Sequence, residues 1–417
     1  MSLWIDVTSS WNWQGPAVGI IRCEVEVARR LCARPGSFRF CRFTHRAGPI
    51  VEVSPRELTE RFEQRGSEWR DARGTSSRRF SARVWRNLRR IFGLGTQQAF
   101  AHPFHPGDTY LSLGMDAWDK DLRRLHDVKR AVGLRVMMTC HDLIPIRSPQ
   151  WVNEAERTVI PEHTRRTVQL ADIILCNSDD TMMDVARYAA EEQLTCPSLV
   201  RIRLGADRLG APETAGTAPD GVTGPFILYV SSLARRKNHE TLYRAYHRML
   251  RRPTASLPQM IWAGKAGPDA SVLLQDIQLD PVIGDRILHL GDASDDQLHW
   301  LYRNCAFTVF ASLAEGWGLP VGESTAYGKL CLASDLPAVR EVAADLHTYV
   351  DPWSVEQWEH ALTSFVDSPI YLAARTQTVV DANWSRSWEQ TVDDVLRACG
   401  YVVLMDFAEE DEAGADQ

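Results

Sequence analysis

The chain has 417 residues and a mass of 47.1 kDa, too long for one ordinary core and long enough for two domains of roughly 150 to 200 residues each. Its 44% hydrophobic and 24% charged residues exclude bulk disorder and fibrous repeats, and a formal net charge of -7 excludes a general nucleic-acid binder. No apolar run approaches the roughly 20 residues of a membrane helix, and the opening MSLWIDVTSS lacks a basic start followed by an apolar signal core, so a cytoplasmic protein is expected.

Short β-rich runs alternate with segments of helical period, the pattern of parallel sheets wrapped by helices. A first series, residues 1–205, predicts strands at Leu3 to Val7, Ser37 to Phe43, Thr109 to Leu113, Leu134 to Thr139, Ile173 to Cys176 and Ser198 to Ile202. After its first strand, Trp13-Gln-Gly-Pro-Ala-Val-Gly-Ile-Ile-Arg forms a turn in which Gly15 and Gly19 allow close backbone approach; it is not the GxGxxG of a dinucleotide fold. Residues 56–105 read as a basic insertion, with eleven arginines against five acids between positions 56 and 90. Its end, Phe80 to Phe92, is a basic amphipathic helix that either packs on its own domain or rests on a membrane surface. Later, Met137-Met-Thr-Cys-His-Asp-Leu-Ile-Pro puts His141 at a strand end, a position where a lone histidine is usually structural. Asn177-Ser178 reads as a strand end and helix cap.

Residues 206–224, rich in Gly, Ala, Pro and Thr, read as an interdomain linker. A second series, residues 225–383, predicts strands at Phe226 to Val230, Gln259 to Ala263, Ile287 to Leu290, Cys305 to Ala311, Leu330 to Ala333 and Thr348 to Val350. Behind its first strand runs Tyr229-Val-Ser-Ser-Leu-Ala-Arg-Arg-Lys-Asn-His-Glu, where Arg236 and Lys237 are positioned to grip a diphosphate; the whole chain has only five lysines. In Ala311 to Ser334, ASLAEGWGLPVGESTAYGKLCLAS, a strand ends, a glycine-rich turn follows and a helix starts near Gly318. Glu315 lies in the turn and Glu323 inside the helix. Gly316, Gly318 and the amides up to Leu319 have little side-chain bulk around them, and the N–H groups of the helix start suit an anion or sugar hydroxyls. A last helix, Trp384 to Ala398, falls in a segment 384–405 expected to pack back on the first domain, and residues 406–417 form an acidic tail expected to be disordered. The nine cysteines are scattered and never spaced as CxxC, which speaks for reduced thiols and against structural zinc.

The segment Glu315-Gly-Trp-Gly-Leu-Pro with Glu323 resembles the paired-glutamate signature of retaining glycosyltransferases of GT-B architecture, two Rossmann-like domains facing across a cleft. The flanks Ser334-Asp-Leu-Pro-Ala-Val-Arg-Glu-Val and Asp351-Pro352 are similar to the family's downstream segments. The resemblance implies that Glu315 touches donor-sugar hydroxyls, that Glu323 binds the nucleotide ribose, and that His141 faces the cleft near the sugar or acceptor. It implies that the turn holding Gly15 and Gly19 approaches the donor phosphate and acceptor. Relatives often carry an arginine where this chain has Ser232, which leaves Arg235 or Arg236 as substitute. The expected partners are a nucleotide diphosphate sugar, with GDP-mannose preferred on the resemblance, and a glycan or polyprenyl-linked acceptor in bacterial polysaccharide assembly. Residues 80–92 would then supply a peripheral contact with the inner face of the plasma membrane. No DxD-like cluster stands at a predicted strand end, so neither a divalent ion nor another cofactor is expected. Two other readings fit the architecture: a nucleotide-sugar epimerase and a non-catalytic nucleotide-sugar binder.

Overall fold

The computed structural model describes residues 1–13, 17, 19–34, 36, 38–71, 100–207, 216–251 and 257–401. Gly15, the basic helix expected at Phe80 to Phe92 and the acidic tail lie outside them. Two sheets organise the chain. The first holds β1 (Leu3–Asp6), β2 (Phe38–Phe43), β3 (Ile50–Val53), β4 (Thr109–Ser112), β5 (Arg135–Cys140), β6 (Ile173–Cys176) and β7 (Ser198–Arg201) in the order β3-β2-β1-β4-β5-β6-β7. The second holds β8 (Phe226–Val230), β9 (Gln259–Ala263), β10 (Ile287–Leu290), β11 (Phe307–Phe310), β12 (Cys331–Ser334) and β13 (Thr348–Val350) in the order β10-β9-β8-β11-β12-β13. Apart from β3, which pairs antiparallel with β2, all the strands run parallel. Both orders reverse direction once, between β1 and β4 and between β8 and β11, and ligands of open parallel sheets bind outside the strand ends at such a point.

The central strands are apolar on both faces because helices cover both sides. FTVF of β11 is buried throughout, and Phe226, Leu228 and Ile227 of β8 pack into the core. The strand β3 was not expected from its sequence: it is four residues long, and its solvent-side Glu52 meets Arg39 of β2 at 2.9 Å. The strand expected at Cys305 to Ala311 is shorter, Phe307–Phe310, because Cys305 closes the preceding helix.

One boundary is corrected. The last helix is Trp388–Cys399, four residues later than expected at its start, because Ser387 and Gln390 form a reciprocal capping box. Residues 384–386 stay outside it, and the carbonyl of Arg386 accepts the N–H of Ala206 at 2.8 Å. The described residues at the two ends of the linker are tied down. Asp207 accepts from Arg30 at 2.6 Å and from the N–H of Trp388, while the Gln259 side chain bonds Gly221 and Thr223, each at 3.1 Å. The last helix lies on Gly19–Ala33 of the first domain, where Arg34 pairs with Glu389 and, at 2.8 Å, with Asp393.

The domains are closed on each other. Glu341 of the second domain accepts the N–H of Asp179 and of Asp180, at 2.8 and 3.1 Å, so it supplies a negative charge at the start of the first-domain helix Asp179–Glu191, where the helix dipole favours it. Ser178 caps the same helix through Thr181.

Candidate active site

The turns after β8 and β11 meet because those strands are neighbours at the second sheet's reversal point. After β8 the chain forms a single 3-10 turn, Arg235–Lys237, ended by Asn238 in the left-handed region at φ 58°. The Asn238 amide donates to the carbonyls of Ala311 at 3.1 Å and Pro352 at 2.8 Å, which ties this turn to the end of β11 and to the loop after β13. After β11 the turn Ala311–Gly318 leads into the helix Leu319–Ala326, whose start has no side-chain cap. Gly318 sits there at φ 142°, a conformation for glycine. A Cβ at Gly316 would collide with the carbonyl of His141, so this glycine lets the second domain touch a strand end of the first.

Arg236, Lys237 and Glu315 form one partly buried cluster. Arg236 reaches Glu315 at 2.9 Å and also donates to the carbonyl of Ala314 at 2.8 Å; Lys237 pairs with the other carboxylate oxygen. Burial opposes ionisation of Glu315, but Arg236 and then Lys237 outweigh it and hold the acid down at about 2. Burial, followed by Arg236, brings Lys237 down to about 8 against the pull of Glu315. The cluster therefore carries two cations and one anion at neutral pH, a surplus that a phosphate group would meet.

Glu323 stands in a different group. It is buried, and its Oε2 accepts from the Tyr302 hydroxyl at 2.6 Å while its Oε1 meets Arg22 at 2.5 Å. Arg22 comes from the first domain, so this ion pair crosses the cleft. Burial raises the Tyr302 pKa well above its usual value, with Glu323 adding to the effect.

A cavity of about 360 Å³ lies between the domains, lined by Gly114, Asp116 and His141 of the first and by Ser232, Ala234 and Arg236 of the second. The His141 ring nitrogen Nε2 lies 2.9 Å from the carbonyl of Leu113, and burial lowers its pKa, so the ring is neutral at pH 7. The structure thus brings His141, Ser232, Arg236, Lys237 and Glu315 together and keeps Glu323 with Arg22. Gly19 opens the helix Gly19–Ala33 at φ 52° with open space around it, and Gly318 and Leu319 stand at the start of the helix that carries Glu323. Arg235 turns away from Glu315, its guanidinium 5.5 Å from the centroid of Trp151.

Arg22, Tyr302 and a buried first-domain cluster were not found from sequence. In that cluster Lys120, wholly buried, meets Asp6 at 2.7 Å and Asp116 at 2.6 Å. Glu24 lies beside it, accepts the N–H of Ser10 at 2.6 Å, and is pushed up to about 8 by burial against the pull of Lys120. Only Arg22 left a trace in the sequence, as the last residue of the glycine-containing turn motif. Among the described residues no group of three or more His, Cys, Asp or Glu is arranged to hold a metal ion, and no helix is long and apolar enough to cross a membrane.

Two Rossmann-like domains, each with its site at a strand-order reversal and both closed over one cavity, define a GT-B fold. Solved structures agree: the crystal structure of Anabaena HepE in complex with UDP and glucose aligns with a TM-score of 0.63 at 13% identity, over 96% of this chain and 99% of that one. Sucrose-phosphate synthase from Thermosynechococcus elongatus aligns at 0.62 and 15% identity, over 96% and 98%. Residues 219–379, the second domain, match the model of the family described as Glycosyl transferases group 1. The chain is also 24% identical over 284 residues to a serotype-specific mannosyltransferase WbdA of Escherichia coli, covering 65% of this chain and 34% of that protein. It is 26% identical over 272 residues to the O-antigen chain mannosyltransferase B of Escherichia coli, covering 63% and 70%. The chain thus spans about a third of the length of the first of these relatives.

Proposed function

We propose that this chain is a retaining glycosyltransferase that moves a hexose from a nucleotide diphosphate sugar, with GDP-mannose as preferred donor, to a glycan or lipid-linked glycan acceptor in bacterial polysaccharide assembly. The observation that carries the reading is the Arg236, Lys237 and Glu315 cluster, set where β8 and β11 end and beside a cavity that His141 lines from the opposite domain. The relatives named as mannosyltransferases support the choice of mannose.

In this reading the donor diphosphate takes Lys237 and Arg236 as partners, and Glu315, released from them, accepts hydrogen bonds from donor-sugar hydroxyls. The ribose takes the place of Arg22 on Glu323. As the sugar leaves, negative charge grows on the diphosphate and positive charge on the anomeric carbon; the two cations and the uncapped helix start at Leu319 meet the first, and Glu315 the second. The acceptor hydroxyl attacks from the same face, and its proton passes to the leaving phosphate, so the anomeric configuration is kept and no enzyme nucleophile is needed. His141, neutral and fixed by Leu113, contributes shape and a ring face rather than a charge. The diphosphate charge is met by side chains, and no divalent ion is required. Residues 80–92 would hold the enzyme at the inner face of the plasma membrane, where a polyprenyl-linked acceptor is presented.

A screen of GDP, UDP, dTDP and ADP sugars, read by release of nucleoside diphosphate with and without oligosaccharide acceptor, tests the reading. Release that an acceptor accelerates is expected. A chain that consumes none of these donors overturns it.

A further inference from the structure

A group of aromatic residues stands at the rim of the cavity, apart from the charged cluster. Trp151 ends the short turn Pro149–Trp151 of the first domain and lines the cavity. Trp353 belongs to the loop after β13 in the second domain, and the two indole centroids lie 5.6 Å apart with the rings inclined at 44°. Arg235 places its guanidinium 5.5 Å from the Trp151 centroid. Trp118 lines the same cavity from the first domain.

These indoles are not core residues. Trp353 is 63% exposed and Trp118 is 37% exposed, whereas Trp262, Trp358 and Trp388 are buried almost completely. Exposed tryptophans that gather at one place mark an interaction site, because the indole is large, rigid and apolar. Nor is Trp353 loosely held. Its N–H donates to Asp351 at 2.9 Å, and the preceding Pro352 carbonyl accepts from Asn238 at 2.8 Å, so the loop that presents it is anchored to the turn that presents Lys237.

The surroundings are mixed in a particular way. Inside the rim the cavity wall carries Asp116, His141, Glu156 and His163; Asp116 is paired with Lys120 and the Nε2 of His141 with the Leu113 carbonyl, so the polar wall open to a ligand is made by the remaining carboxylate lone pairs and ring nitrogens of this group. A pyranose has the matching surface: a face of C–H bonds that packs on an indole and an edge of hydroxyls that needs polar partners. The cavity of about 360 Å³ is at the small end of the roughly 300–1,000 Å³ usual for small-molecule sites, so a glycan longer than a unit or two has to continue over the rim, where the tryptophans stand.

We propose that Trp151, Trp353 and Arg235 form a saccharide subsite at the mouth of the cavity, which grips the acceptor glycan beyond the unit that carries the reacting hydroxyl. That this glycan is the acceptor rests on the transferase reading above; the binding of an oligosaccharide at the rim does not need a donor. Because the clasp takes one tryptophan from each domain, a bound glycan also favours the closed cleft. A purely structural Trp151–Trp353 contact would close the cleft too, but would leave sugar binding indifferent to either side chain.

Saturation-transfer-difference NMR on the full chain, with soluble manno-, gluco- and galacto-trisaccharides as probes, tests the subsite. At least one trisaccharide should receive saturation at its ring C–H protons. Trp353→Ala and Trp151→Ala should each weaken its binding about 2- to 10-fold, the size of one aromatic packing contact, and Trp353→Phe should keep most of it. Calorimetry with free nucleoside diphosphate, unchanged in the variants, shows that the fold and the charged cluster are intact. No saturation of any trisaccharide by the parent, or equal binding by parent and both alanine variants, overturns the subsite. Donor turnover is measured beside it: a parent that binds trisaccharide yet never transfers a sugar overturns the transferase reading and keeps the subsite, while a transferring parent whose alanine variants bind trisaccharide unchanged overturns only the subsite.

Discussion

Replacing Glu315 by glutamine keeps the shape of the site and removes the one anion between two cations. Arg236 and Lys237 are then left adjacent and partly buried, each without the carboxylate it now meets. Two effects follow in different observables. Turnover loses a charged hydrogen bond that strengthens as positive charge builds on the sugar; such a bond is worth about 1.5–3 kcal/mol, and a fall on the order of 100-fold in kcat is expected. Binding of free nucleoside diphosphate changes in its pH dependence. Lys237 titrates near 8 with Glu315 in place, and loss of that neighbour lowers it further, since burial and Arg236 both act in the same direction. Wherever the lysine is still protonated, affinity should therefore equal or exceed the parent's because no carboxylate competes for it, and it should fall away at a lower pH than in the parent. Initial rates of transfer and calorimetry at pH 6.5, 7.5 and 8.5 read both. A kcat within about 3-fold of the parent, or a binding profile that does not move with pH, refutes the reasoning.

Three further outcomes are expected. Glu323→Gln should weaken free nucleoside diphosphate by roughly 10- to 150-fold, the value of a hydrogen bond to a charged group, whereas Arg22→Ala, which frees Oε1 of Glu323, should not weaken it; calorimetry that gives both variants the same loss counts against the exchange of Arg22 for ribose. Transfer should survive EDTA, and full loss that magnesium restores would sink the metal-free reading. Glu24 titrates near 8 in the folded chain and near the ordinary carboxylate value of about 4.3 when unfolded, so between those values the native state binds more protons and stability falls as pH rises, by on the order of a few kcal/mol in all. Glu24→Gln should flatten that fall, and melting curves from pH 5.5 to 8.5 that run parallel for parent and variant would contradict it.

The legible parts of this fold are those where one strand or one cap decides locally. Phe226–Val230, Gln259–Ala263 and Ile287–Leu290 are found at the bounds read from sequence, because strands buried on both faces appear as apolar runs. The short edge strand Ile50–Val53 is buried only at its two ends, with Glu52 exposed between them, and leaves no such run. The late start of the last helix turns on a Ser387–Gln390 capping box, a two-residue signal that an apolar count passes over. At the site, Lys237 and Glu315 could be singled out as candidates from the turns that hold them and His141 only through the family resemblance, but their partners could not. Lys237 and Glu315 are 78 positions apart, Arg22 and Glu323 are 301 apart, and only the order of strands in the two sheets brings each pair together. The same holds for Lys120 with Asp6, and for Trp151 with Trp353.

The central claim is transfer of a sugar with its configuration kept, and proton NMR of the reaction product measures it directly. The parent chain is incubated with GDP-mannose, or the donor that the screen selects, and an oligosaccharide acceptor, and the anomeric signal of the new linkage is recorded while nucleoside diphosphate release is followed. The account predicts a new glycosidic linkage of the donor's own anomeric configuration, formed one for one with nucleoside diphosphate. A linkage of inverted configuration, an epimerised free sugar, or a donor that binds and is never consumed would contradict it.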